Sequence, residues 1–93
     1  MELKRQTFHH YTYILYSLKD NKLYIGSTNN LKRRLIQHSH RQVAATKNRL
    51  PLKLIHYEYF INREDAGARE LFLKSGYGHK QLNEILKSTL KSI

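Results

Sequence analysis

Cysteine is absent from this chain of 93 residues, which has one proline and four glycines. Without cysteine there is no disulfide and no cysteine-ligated zinc or iron–sulfur centre, so a compact core must carry the stability. Few glycines and a single proline, beside 40% hydrophobic and 11% aromatic residues, argue for a globular chain over a disordered one. No apolar run approaches the length that crosses a bilayer, and no signal-like apolar segment follows Met-Glu-Leu-Lys-Arg, so a cytoplasmic protein is the expectation. Ninety-three residues read as one domain, because two separate cores would each be too small to stand alone.

Acidic residues are scarce too. Seven Asp and Glu face seventeen Lys and Arg, a formal charge of +10. A small protein this basic points to a polyanionic partner, and nucleic acid is the commonest one. A membrane surface fits less well, since the cations are spread along the chain and no helical segment sets an apolar half against a basic half. Composition says nothing about sequence preference.

The stretch from Tyr24 to His38 organises the rest. Leu23 to Ile25 have strand character, and Gly26 is read as the point where the backbone leaves the strand in a conformation a side chain would hinder. Ser27 to Asn30 are turn residues, with Asn30 placed to cap a helix starting at Leu31. Arg34 and His38 lie four apart and so share one helix face. Tyrosine, arginine and histidine gather at one strand–helix junction, a place suited to chemistry on an anion.

Upstream, residues 1 to 10 are polar and basic and read as a leader. Tyr11 to Leu18 reads as a strand, and Lys19 to Lys22 as the turn of a hairpin that brings Tyr13 near Tyr24. The following helix, from Leu31 to about His40, is expected to bury Leu31 and Leu35. Residues 41 to 51 lack a period and read as a loop, with Pro51 opening an edge strand over Leu52 to Phe60. Asn62 and Asp65 mark a helix start, giving a helix from Arg63 to Lys74 that stops at Ser75-Gly76, with Gly76 as the C′ residue. A last amphipathic helix runs from about His79 to Leu90, with Leu82, Ile85, Leu86 and Leu90 at helical spacing. The order β-β-α-β-α-α gives an α+β fold, a three-stranded sheet flanked by helices.

Singly, the chemically interesting residues have ordinary readings. Tyr13 and Tyr24 suit half-buried strand aromatics, and Arg34 suits a solvated basic face with Lys32 and Arg33. Glu70 suits a helix glutamate paired with Lys74 one turn on. Jointly they resemble a known pattern. Tyr13, Tyr24-Ile25-Gly26, Arg34 and His38, followed by a helical Glu70, are similar to the GIY-YIG nuclease family. Tyr24-Ile25-Gly26 is the second half of that signature unchanged, while Tyr11-Thr12-Tyr13 stands where Gly-Ile-Tyr would be and keeps only the tyrosine. The likeness covers roughly residues 11 to 88 and is closest to compact single-domain members; it extends to the N-terminal nuclease domain of the excision-repair endonuclease.

The resemblance implies a three-stranded antiparallel sheet flanked by helices and a metal-dependent endonuclease that hydrolyses a phosphodiester of DNA, in repair or recombination. It implies one divalent cation, Mg²⁺ or Mn²⁺, held by Glu70. Arg34 would contact the scissile phosphate and Tyr24, or Tyr13, would orient or deprotonate the attacking water. His38 would assist placement or proton transfer, and Asn83 is the nearest candidate for a site-shaping asparagine. Lys32, Arg33, Arg41, Lys47 and Arg49 are expected to contact phosphates without reading bases, with the loop from Arg41 to Arg49 ordering on binding. Selectivity is therefore expected for DNA structure and not for sequence, with RNA left open and any targeting partner unknown. The alternative is a binding module that keeps the fold and charge without catalysis. Against it stands Glu70, because an isolated acid near a phosphate repels it unless a cation lies between.

Overall fold

A computed structural model describes residues 9–93. Strands β1 (His10–Ser17), β2 (Leu23–Thr28) and β3 (Leu52–Phe60) form one antiparallel sheet in the order β2-β1-β3. The helices are α1 (Leu31–Ser39), α2 (Arg63–Lys74), α3 (Gly76–Ile85) and α4 (Lys87–Lys91). The α+β class and the antiparallel three-stranded sheet match the sequence expectation. Among the described residues, no helix is long and apolar enough to cross a membrane.

Strand alternation divides the sheet into two faces. The register sets Thr12 and Ile14 of β1 with Ser27 and Ile25 of β2 and with Glu58 and His56 of β3. This face takes α2 and α3. Ile14, Ile25, Leu73, Leu82 and Leu86 form its buried cluster, with Leu23, Ile55 and Leu90 packed against it. The Thr12 hydroxyl donates to the Ala66 carbonyl at 2.8 Å, and Arg69 of α2 donates to Glu58 of β3 at 2.8 Å. Close approach of α3 to α2 depends on Gly78, where a Cβ would run into the Phe72 carbonyl and the Leu73 backbone.

The other face carries Tyr11, Tyr13 and Leu15 of β1, paired with Thr28, Gly26 and Tyr24 of β2 and with Tyr59, Tyr57 and Leu54 of β3. Helix α1 and the segment from 40 to 51 cover part of it. Asn30 caps α1 as expected, accepting from the Arg33 N–H at 3.0 Å. Asn62 caps α2 in the same manner, accepting from the Glu64 N–H at 2.8 Å.

Several sequence expectations are corrected. The leader is expected to reach residue 10, but His10 already pairs with Phe60 in β1; residues 1–8 lie outside the described residues. Gly26 does not end β2, which runs on to Thr28, and no glycine among the described residues has positive φ. Helix α1 ends at Ser39, and its buried residue is His38, with Leu31 and Leu35 only half-buried. Gly76 begins α3 in place of closing α2, because Ser75 serves both helices: it ends α2 and accepts from the Gly78 N–H through its side chain. The final helix therefore starts at Gly76, and it breaks at Leu86 into α3 and α4. Residues 41 to 49, read as a loop without period, form turns packed on the fold: Val43 and Thr46 are buried, and the Thr46 and Lys47 N–H groups donate to the Val43 carbonyl.

Candidate active site

The site grows from the tyrosines of the hairpin. Tyr13 lies opposite Gly26 across the β1–β2 pair, and its ring fills the volume that a side chain at 26 would take. A Cβ on Gly26 would lie 2.6 Å from Tyr13 Oη and 2.7 Å from Cζ. Gly26 is thus required by close approach and not by backbone conformation. Tyr24 lies further along β2 on the same face, with its ring 6.2 Å from Tyr13.

Helix α1 brings His38 down between them. Its imidazole meets Tyr24 edge-on at 5.2 Å and Tyr13 at 5.7 Å between ring centroids. A hydrogen bond of 2.8 Å joins Tyr13 Oη to His38 Nε2, and another of 2.7 Å joins His38 Nδ1 to Thr46 Oγ1. Tyr13, His38 and Thr46 are all buried. Burial, with the nearby Arg34 charge, pushes the His38 pKa down to about 4, so the ring is neutral at physiological pH. The Arg34 guanidinium beside Tyr13 can only donate. With the imidazole neutral, one of its nitrogens donates and the other accepts, so Tyr13, His38 and Thr46 form one continuous buried hydrogen-bond chain. Burial pushes the Tyr13 phenol up to about 12, against the pull of Arg34 in the other direction.

Arg34 stands at the outer end of this chain. The neighbouring Tyr13 hydroxyl raises its pKa, with Tyr24 contributing, and Nη1 donates to Gln37 Oε1 at 3.1 Å. Its side chain opens on a cleft of about 540 Å³ lined by His10, Ser27, Thr28, Asn29, Arg33, Arg34, Gln37, Arg63 and Ala66. Three arginines and no acid line it, so it is built for an anion.

Glu70 approaches from α2. Burial alone would raise its carboxyl, but Lys74 and the nearby Ser27 hydroxyl outweigh that and hold it below the usual carboxylate range. Glu70 does not line the cleft; Ser27, which does, is the residue linking the two. Ser27 belongs to β2, an edge strand, so the arginine comes from α1 and the glutamate from α2 with that strand between them. Lys74 Nζ donates to Glu70 Oε2 at 2.6 Å, the pair expected from their spacing. Among the described residues no group of three His, Cys, Asp or Glu side chains is placed to enclose a metal ion. A lone ionised carboxylate with a hydroxyl beside it instead fits a hard divalent cation that keeps most of its water.

The other sequence candidates divide. Lys32, Arg33, Arg41 and Lys47 are exposed, and Arg33 lines the cleft. Arg41 spends one guanidinium bond on the Lys47 carbonyl. Arg49 is engaged in the fold: it pairs with Asp20 at 2.6 Å and donates to the Lys22 and Leu23 carbonyls. Its guanidinium is thus committed to the fold, unlike the exposed cations expected to contact phosphate. Asn83 is exposed on α3, beside the buried Leu82, and among the described residues its side chain has no hydrogen-bond partner. Sequence reasoning missed Thr46, His10 and Arg63. Thr46 carried no signal, being a threonine in a segment without period. Arg63, at the first position of a capped helix in so basic a chain, was open to notice.

Comparison with known proteins identifies the family. The family model described as the GIY-YIG catalytic domain matches residues 9–83. UPF0213 protein CPE1444 of Clostridium perfringens is 38% identical over 82 residues, covering 87% of each chain. A UPF0213 protein of Limosilactobacillus reuteri is 44% identical over 68 residues, 70% of each. The solution NMR structure of UPF0213 protein BH0048 from Bacillus halodurans superposes with a TM-score of 0.53 at 32% identity, covering 83% of this chain and 84% of that one. By its hairpin tyrosines, its matched length and its relatives, the chain belongs to the GIY-YIG family of nucleases, among the small UPF0213 proteins.

Proposed function

We propose that the protein is a divalent-metal-dependent endonuclease that hydrolyses phosphodiester bonds in DNA, selecting DNA by structure and not by sequence. The observation that carries this reading is Arg34, beside the Tyr13 and Tyr24 hydroxyls at the mouth of an acid-free cleft, with the Glu70 carboxylate linked to that cleft through Ser27. An arginine so placed, with Nη1 donating to Gln37, has the rest of its fork to offer a phosphate in the cleft.

The scissile phosphate sits against Arg34, which neutralises charge as the bond to the leaving oxygen breaks. Arg33 and Arg63 hold the neighbouring backbone. Tyr24, half-buried, faces the attacking water. Tyr13 is not the base: it is fully buried, and its hydroxyl is engaged by His38. His38 touches neither water nor substrate, and with Thr46 it fixes the Tyr13 hydroxyl, so both are positioning residues. Glu70, with Ser27 beside it, would hold the divalent cation, Mg²⁺ or Mn²⁺, and that cation would supply further charge neutralisation at the phosphate.

One observation favours the alternative of a binding module: Lys74 already satisfies Glu70. Both readings are tested by incubating labelled duplex, flap and branched DNA with the protein and Mg²⁺ or Mn²⁺. Cleavage that a chelator abolishes supports the nuclease. Tight binding with no cleavage under either metal refutes it and leaves the binding module.

A further inference from the structure

Five of the seven tyrosines lie on one face of the sheet: Tyr11 and Tyr13 of β1, Tyr24 of β2, and Tyr57 and Tyr59 of β3. Helix α1 covers Tyr13 and Tyr24 through His38. The others lie beyond it. Tyr11 meets Tyr59 edge-on at 5.6 Å and Tyr57 at 6.0 Å between centroids, while Tyr57 and Tyr59 are 52% and 45% exposed. Leaving two large aromatic rings half in water forgoes the burial that normally places them in a core. The active-site mechanism uses none of the three.

Their position gives the reason. Tyr11 pairs across β1–β2 with Thr28, which lines the arginine cleft, and across β1–β3 with Tyr59. Cleft, Tyr11 and Tyr59 thus follow one another across the sheet over about 10 Å, two strand spacings. That is about three base steps at the duplex spacing of ~3.4 Å. Aromatic rings beside a cationic phosphate track are the arrangement that holds unpaired nucleotides, because every base has a face to stack. A duplex keeps its bases stacked on each other and offers such a platform nothing.

We propose that Tyr11, Tyr57 and Tyr59 form a stacking platform for unpaired bases flanking the phosphate held at Arg34, so that the favoured ligand is single-stranded DNA or a single-stranded flap. This deepens the nuclease reading and rests on it for the location of the phosphate. A second copy of the chain is a poorer occupant, since a surface of net charge +10 repels itself and attracts a polyanion.

The test reads binding, on the full chain in the presence of a chelator, and then cleavage of a labelled flap by the same variants with Mg²⁺ or Mn²⁺. Fluorescence anisotropy compares a labelled oligothymidylate of about 12 nucleotides with a duplex of the same length, for the intact protein, Tyr57→Ala, Tyr59→Ala, the double variant and the Phe counterparts. Alanine at either position should weaken the single strand about tenfold, and the double variant about a hundredfold. Duplex affinity should move less than about twofold, phenylalanine should restore the loss, and the salt dependence should not change, since no phosphate contact is removed. Equal losses on both ligands, no loss on either, or failure of phenylalanine to restore binding would overturn the platform. Metal-dependent cleavage unaffected by both alanines would overturn it too while leaving the nuclease standing. Selective loss of strand binding in a protein that never cleaves would uphold the platform and refute the nuclease.

Discussion

Replacing Gly26 by alanine sets two effects against each other. Gly26 lies inside β2 at ordinary negative φ, so on backbone grounds alanine should stabilise the protein by about 0.4–1 kcal/mol through the unfolded chain. Sterics oppose it. The new methyl would lie 2.6 Å from Tyr13 Oη and 2.7 Å from Cζ, where carbon contacts need about 3.5 Å. Tyr13 has no free space to retreat into, being fully buried with its hydroxyl tied to His38. Overpacking of this kind costs about 1–3 kcal/mol, so the net expectation is destabilisation by about 1–2 kcal/mol. Urea denaturation followed by circular dichroism measures it. A double-mutant cycle assigns the cause. Tyr13→Phe keeps Cζ and should not relieve the clash, whereas Tyr13→Leu removes the ring and should make the second substitution much less costly. A Gly26→Ala protein as stable as the parent, or full relief by phenylalanine, would refute the reasoning.

Other consequences follow from the same geometry. His38, with its pKa lowered to about 4, binds fewer protons folded than unfolded between pH 4 and 6.5. Stability should be fully present above pH 6.5 and fall by about 3 kcal/mol as pH drops through 4; a pH series of urea midpoints that stays flat, or that does not flatten in His38→Gln, contradicts this. Lys74→Met removes the cation from Glu70, and Mn²⁺ binding followed by electron paramagnetic resonance should tighten about fivefold, in line with about 1 kcal/mol for a partly exposed pair. Unchanged or weaker binding would mean that Glu70 does not hold the metal. Arg49→Ala should lower the urea midpoint while leaving DNA affinity within about twofold, since its guanidinium braces the hairpin turn. A loss of affinity comparable to that of Arg33→Ala would return Arg49 to the DNA-contacting set.

Local rules were enough for much of the fold. Strand β3 and helix α2 have the limits their patterns predict, Leu52–Phe60 and Arg63–Lys74, and both asparagine caps form. What remained hidden depended on contacts distant in sequence. Gly26 reads as a strand end because glycine commonly marks a turn, yet its need comes from Tyr13 thirteen positions earlier. Residues 41 to 49 read as loose because no period is visible, but Val43 and Thr46 are buried, and Thr46 completes the histidine's hydrogen bonds. Ser75 reads as a stop because two helices sharing one residue leave no gap in the pattern. Among the candidate site residues, burial separates the half-buried Tyr24 and Arg34 from the enclosed Tyr13 and His38, a division that strand and helix patterns do not carry.

The most direct measurement is the single-turnover cleavage rate of a labelled flap at equal DNA occupancy for the intact protein, Arg34→Ala and Glu70→Gln. The account predicts a metal-dependent rate that falls about 10²–10³-fold in each variant, with DNA binding changed far less. Cleavage that persists in either variant, or that proceeds at the same rate without a divalent cation, would contradict it.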